Sequence, residues 1–278
     1  MSLPVIYQDE HLIAINKPSG LLVHRSEIDR HETRFALQLV RNMLGHHVFP
    51  VHRLDKPTSG VLLFAKRSEI ASIVVDQWRE RAVEKRYLAL TRGYFPESVH
   101  LDKAMSPPVD KYAKHETIKP PQEAITDFHR LAQIELPIAI DKYPQSRYSL
   151  VEAIPKTGRK HQIRRHLKHL AHPIIGDARY GKGKHSRYFR DHFEAPRLLL
   201  HAWQLTMEHP VTGAELVLTA ELDNVFRRLV KRFDWQQQLP KPLRDFSGEV
   251  DPCMDDFFVE RDEPTAVSDI PPPPPLAG

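Results

Sequence analysis

With 278 residues, 41% hydrophobic and 27% charged, the chain is long enough for one large core or two small ones. Its single cysteine, Cys253, excludes an internal disulfide and fits a reducing, cytoplasmic setting. There is no run of about 18 apolar residues for a membrane span, and Asp9, Glu10 and Lys17 break the first apolar stretch before a signal peptide could form.

The net charge of +4 conceals an asymmetry. From Lys241 on, nine acids stand against three bases, so that segment carries −6 and residues 1–240 carry +10. A basic body points to a polyanionic partner, RNA or DNA; taken alone it is also what solubility asks for.

In chain order, residues 5–7 and 12–16 read as two short strands around an acidic turn, and K-P-S-G at 17–20 as a loop. Leu37, Val40 and Leu44 recur at helical spacing, so a helix is expected over residues 34–44, stopped by Gly45. Residues 51–61 read V-H-R-L-D-K-P-T-S-G-V. They place the carboxylate of Asp55 between Arg53 and a turn at residues 57–60, ahead of an apolar strand at 61–65. An acid on a loop at a strand's edge sits where catalytic side chains concentrate; it could also simply cap the turn or pair with Arg53.

Ser68 is the expected N-cap of a helix whose apolar face is Ile70, Ile73, Val74 and Trp78. Residues 85–92, K-R-Y-L-A-L-T-R, read as a strand, where a tyrosine such as Tyr87 is often a core residue. Residues 96–125 are rich in Pro, Lys and His and read as an excursion. Strands are expected at 126–135, 147–154, 197–208 and 215–220, and helices at 161–170 and 224–233. Strands outnumber helices without alternating with them, which favours an α+β fold over a doubly wound parallel one. From about residue 240 the chain turns to Pro, Asp and Glu and ends near five consecutive prolines, so residues 241–278 are expected to be a disordered acidic tail behind a single domain at 1–240.

Residues 155–172, P-K-T-G-R-K-H-Q-I-R-R-H-L-K-H-L-A-H, hold six Lys and Arg, four His and no acid. With Ile163, Leu167 and Leu170 on one helical face, the cations would line the other, as a phosphate-binding stripe or a solvated basic face. His166, His169 and His172 would spread over about 120° and about 9 Å of a helix. That is too dispersed for one metal ion, and no H-E-x-x-H or Gly-rich nucleotide loop accompanies them.

Together, H-R-L-D with T-S-G at 52–60, K-R-Y-L-A-L at 85–90, G-R-K-H-Q-I-R at 158–164 and L-H-A at 200–202 resemble the motifs of RluA-type pseudouridine synthases, in that family's order over roughly residues 4–235. The resemblance implies a single catalytic domain with a mixed, mostly antiparallel sheet flanked by helices and loops. It implies an isomerase (an intramolecular transferase) that works without metal or cofactor, a monomer by default. No module precedes Val5, so the small RNA-binding domain of some relatives is expected to be missing.

The same resemblance assigns roles. Asp55 would be the essential catalytic residue, trapping the sugar at C1′ or abstracting the 2′ proton through a glycal; the sequence leaves both routes open. Arg53 would replace the extruded base in the stack. Tyr87 would stack on the uracil, and Arg164 would pair with Asp55. His52, Arg159 and Lys160 would contact RNA, as would Arg165, which stands where many relatives have a small apolar residue. Four stretches, including residues 16–26 and 172–177, point to the branch acting on tRNA uridine 65. Ribosomal RNA or another tRNA uridine is the alternative substrate, and a non-catalytic RNA-binding protein the alternative class.

Overall fold

The computed structural model describes residues 3–25, 32–107, 120–245 and Pro271. In chain order these form β1 (Val5–Gln8), β2 (Leu12–Lys17), α1 (Ala36–Leu44), β3 (Phe49–Pro50), β4 (Ser59–Ala65), α2 (Ser68–Arg79), β5 (Glu84–Arg92), β6 (Ser98–Asp102), β7 (Ile125–Leu136), β8 (Ser146–Pro155), α3 (Gln162–His169), α4 (Gly183–Phe193), β9 (Leu200–Glu208), β10 (Glu215–Thr219) and α5 (Asn224–Arg232), with 3-10 turns at Gln236–Gln238 and Lys241–Leu243.

The strands make one sheet in the order β1-β2-β4-β9-β5-β8-β7-β6, with β3 on β4 and β10 on β9. Pairing is antiparallel except where β4 meets β9, Ser59 opposite His201 and Gly60 opposite Ala202. This is the α+β arrangement, a mixed and mostly antiparallel sheet flanked by helices, that the sequence implies.

Strand alternation explains why the apolar runs of β2 and β4 are continuous. Leu12, Ala14, Val61, Leu63 and Ala65 face one way, onto Ile70 and Val74 of α2. Ile13, Ile15, Leu62 and Phe64 face the other, onto Ala36 and Val40 of α1. A third and larger core packs β5, β7 and β8 against Ile163 and Leu167 of α3, Tyr188 and Phe189 of α4, and Phe226 and Leu229 of α5.

Several expectations need correction. Ser68 is not the N-cap: Arg67 is, with extended backbone and no side-chain cap, while Ser68 Oγ bonds Glu69. The turn after Asp55 closes two residues early, Thr58 N to Asp55 O at 3.1 Å, so Ser59 and Gly60 already belong to β4. The first part of the excursion is the edge strand β6, paired to β7; residues 108–119 lie outside the described residues. The packed body also continues past residue 240: Leu243 is buried in the main core and Arg244 Nε donates to Leu239 O. An apolar side chain that reaches a core stays with it, whatever the composition that follows. The rest of the acidic tail, apart from Pro271, lies outside the described residues.

Candidate active site

A pocket of about 450 Å³ opens where the loop before β4, strand β5 and the start of α3 converge. Its walls include His52, Arg53, Asp55, Tyr87, Arg159, Lys160 and Arg164, seven of the eight residues singled out from sequence. Arg165 is not among them; it is half-buried on α3 away from the pocket.

Asp55 is held from two sides. On the backbone side, Lys17 Nζ, fully buried, donates to the carbonyls of Pro18 (2.8 Å), Leu21 (2.9 Å) and Lys56 (3.1 Å), and Gly20 N also donates to Lys56 O. The K-P-S-G loop and the catalytic loop are thereby tied around one ammonium. Burial pulls the Lys17 ammonium down to about 7, against the attraction of Asp55. The other side is fixed by β4: Gly60 has φ +114°, and a Cβ there would come within 2.1 Å of Ala202 O. Only glycine lets β4 run this close to β9, which accounts for the glycine of T-S-G.

On the side-chain face, Arg164 Nη1 donates to Asp55 Oδ2 at 2.9 Å. Its other nitrogens, Nε and Nη2, bond Asp177 Oδ2 and Oδ1 at 2.8 and 2.9 Å. Burial would push the Asp177 carboxyl up, but Arg164 and the N–H groups of Tyr180 and Arg179 hold it below its usual range. His161 Nε2 lies 3.8 Å from Asp55 Oδ2, and its Nδ1 is 3.0 Å from the Tyr180 hydroxyl. Burial, opposed by Asp55, brings this imidazole down to about 4.

The start of α3 is fixed by Gln162. Its Oε1 accepts from Thr157 Oγ1 and Arg159 N, and its Nε2 donates to Ile125 O and Thr126 Oγ1. That side chain pins α3 to β7 and to the loop that follows β8, and so sets the distance at which Arg164 reaches Asp55.

Tyr87 is half-buried and packs against two cores, the one that holds Leu54 and Ala202 and the one that holds Leu200. Burial first, and then the charge of Asp55, pushes its hydroxyl well above the usual tyrosine range.

Arg53 is exposed at the pocket and has no partner among the described residues; Lys160 is exposed beside it. Arg159 is half-buried, its Nε on Glu123 O. His52 also lines the pocket and is tied to its surroundings. Its Nε2 accepts from Leu63 N at 3.0 Å, its ring stacks on Trp78 at 4.9 Å and 21°, and burial brings it down to about 3. The ring thus joins the loop to β4 while still lining the pocket.

The basic stripe is thinner than its sequence suggests, because Arg164 and His166 face inward. His166 bonds Thr126 Oγ1 and Lys103 O. Lys156, Lys160, Lys168 and His169 remain exposed. His172 Nδ1 sits on Arg92 O, and His201 is a core residue between Ser59 Oγ and Ala220 O.

Sequence reasoning assigned no role to Lys17, Asp177, Trp78 or Lys85. Asp177 closes the stretch at residues 172–177 and Lys17 opens K-P-S-G at 17–20, so the signal is present in the sequence without a role. Trp78 was read only as part of a helical apolar face.

The arrangement offers one carboxylate, oriented by a guanidinium, beside an aromatic ring in a pocket of nucleoside size. Residues 11–169 match the family described as RNA pseudouridylate synthase. The tRNA pseudouridine synthase C of Vibrio parahaemolyticus serotype O3:K6 is 49% identical over 87% of this chain and 99% of its own length. That of Pasteurella multocida is 49% identical over 84% and 98%. Among solved structures, human RNA pseudouridylate synthase domain containing 4 superposes with a TM-score of 0.60 at 28% identity, covering 83% of this chain and 93% of that one. Domain containing 1 gives 0.60 at 25%, covering 79% and 83%. With its motifs, sheet and pocket all in agreement with these relatives, the chain belongs to the RluA-type RNA pseudouridine synthase family and is an isomerase.

Proposed function

We propose that this synthase acts on tRNA, converting uridine 65 to pseudouridine. The observation that carries the chemistry is the Asp55 carboxylate, oriented by Arg164 at 2.9 Å, in a pocket that also presents Tyr87. The choice of tRNA and of position is supported by the similarity, over nearly their whole length, to proteins named tRNA pseudouridine synthase C.

The base leaves the helix to reach the pocket, and Arg53, exposed and without a partner among the described residues, takes the vacated place in the stack. The C1′–N1 bond breaks with Asp55 either bonding C1′ or taking the 2′ proton. Uracil turns against the Tyr87 ring and rejoins C1′ through C5. The C5 hydrogen is lost and N1 ends protonated, so no atom is gained or lost overall and no co-reactant is consumed. Tyr87, lining the pocket beside Asp55, walls and orients the uracil. Lys160, Lys156 and Lys168 supply charge for the backbone. A cytoplasmic monomer belongs to the same reading, resting on the single cysteine and on the family resemblance.

The test is carbodiimide and primer-extension mapping on total tRNA that lacks the modification. A single new stop where the T stem meets the acceptor stem is the expected result. Stops elsewhere, or only on ribosomal RNA, would discard the substrate and keep the chemistry.

A further inference from the structure

One wall of the pocket carries a cation for which the reaction above has no use. Lys85 and Tyr87 stand two residues apart on β5 and both line the pocket, as strand alternation requires. Lys85 Nζ lies 5.2 Å from the centroid of the Trp78 ring, and that ring is itself stacked on His52. Indole and imidazole thus fix where the long, otherwise mobile lysine stem ends.

Lys85 has no acidic partner among the described residues. The charges that act on it, Lys156 and Arg81, are both positive, and together with burial, the larger cause, they bring its ammonium down to about 8. Those two neighbours each have an acid of their own, Asp127 for Lys156 at 3.4 Å and Glu123 for Arg81. An ammonium held in a half-buried wall, repelled by its neighbours and lacking a counter-charge, favours an incoming anion. The substrate brings one at every residue of its backbone.

We propose that Lys85, held by Trp78, binds a phosphodiester of the RNA strand next to the target nucleotide and so sets that strand's position over Asp55. Lys85 precedes Tyr87 by one side chain on the same strand face, so a strand whose target base lies against Tyr87 carries its neighbouring phosphate past Lys85. This deepens the reading above and takes from it that RNA is the substrate.

The experiment compares Lys85→Met, which keeps the apolar stem on Trp78 and removes the charge, with Lys85→Arg, which keeps the charge. Affinity for tRNA is measured against salt concentration in an Asp55→Asn background, where turnover does not interfere, and KM and kcat in the Asp55 parent. Lys85→Met should weaken binding roughly tenfold at moderate salt and lower the slope of log Kd against log salt by about one. It should raise KM more than it lowers kcat, and Lys85→Arg should restore the slope. An unaltered slope in Lys85→Met overturns the proposal, whether or not the unfolding midpoint has moved; so does a loss confined to kcat. If wild-type protein makes no pseudouridine on tRNA, the functional reading fails separately, since the slope is read without turnover.

Discussion

Arg164 and Asp177 meet through two parallel hydrogen bonds, Nε to Oδ2 at 2.8 Å and Nη2 to Oδ1 at 2.9 Å, in a pair whose side chains are only 7% and 1% exposed. This fork fixes the plane of the guanidinium. The nitrogen left over, Nη1, can then point in only one direction, and it points at Asp55 Oδ2. Asp177 is therefore a positioning residue for a carboxylate it does not touch.

Replacing Asp177 separates the two consequences. Asp177→Ala leaves a buried guanidinium with one partner, and unfolding free energy should fall by about 3–5 kcal/mol in urea titrations. Asp177→Asn keeps part of the fork, so the fold should survive while Arg164 tilts. Single-turnover isomerisation should slow by about 100-fold with tRNA affinity little altered. Equal losses in binding and rate would contradict the positioning role.

Acid should destabilise the protein before most carboxylates titrate. Burial brings His201 down to about 4 and His52, with Lys85 adding to the effect, to about 3. The unfolded chain protonates both near pH 6.5. Above that value their contribution is fully present; below it the unfolded state binds more protons, so stability is lost as pH falls toward 4. Each contributes a slope approaching roughly 1.4 kcal/mol per pH unit. Urea midpoints should therefore drop between pH 7 and 5, and His201→Gln should flatten the profile. A wild-type profile that is level over this range would be inconsistent with neutral buried rings.

Lys17→Met keeps the stem and removes the three donors that tie residues 18, 21 and 56 together. A loss of about 3 kcal/mol is expected from the orphaned carbonyls. Because Lys56 follows Asp55 directly, kcat should fall too. A variant with a lowered unfolding midpoint but wild-type kcat would show that the catalytic loop does not depend on this ammonium.

Gly60→Ala should be among the most damaging single-methyl changes. The new Cβ would meet Ala202 O at 2.1 Å, from a backbone at φ +114°, and more than about 4 kcal/mol should be lost. Gly158→Ala is the matched control, since a Cβ there meets nothing within 4 Å; its unfolding free energy should stay within about 0.5 kcal/mol of wild type.

The extent to which this architecture can be read from sequence follows from the range of the forces involved. The strands of β2, β4, β5 and β8 were legible because their apolar runs and alternation are local properties. Helix α4 was not: His185, Tyr188, Phe189 and Phe193 do face the core, but Lys184, Arg187 and Arg190 between them blur the pattern. Strand β6 was hidden because only one edge of it pairs and its exposure alternates. In the site, Asp55, Tyr87 and Arg164 stood out through motif resemblance. The contacts that hold His52, Trp78 beside its ring and Leu63 N on its Nε2, come from α2 and β4 and could not be read from the H-R-L-D run alone. Asp177 and Lys17 escaped a role because each acts through a contact set by the sheet order, not by its neighbours in sequence.

The central claim is that Asp55 performs the isomerisation while the rest of the pocket binds. It is tested most directly with tRNA carrying tritium at C5 of uridine, where forming the C1′–C5 bond releases the label to water. Wild-type protein should release one label per target site, and Asp55→Asn should release none while binding the same tRNA with nearly unchanged affinity. Equal, nonzero release by the two proteins would contradict the account.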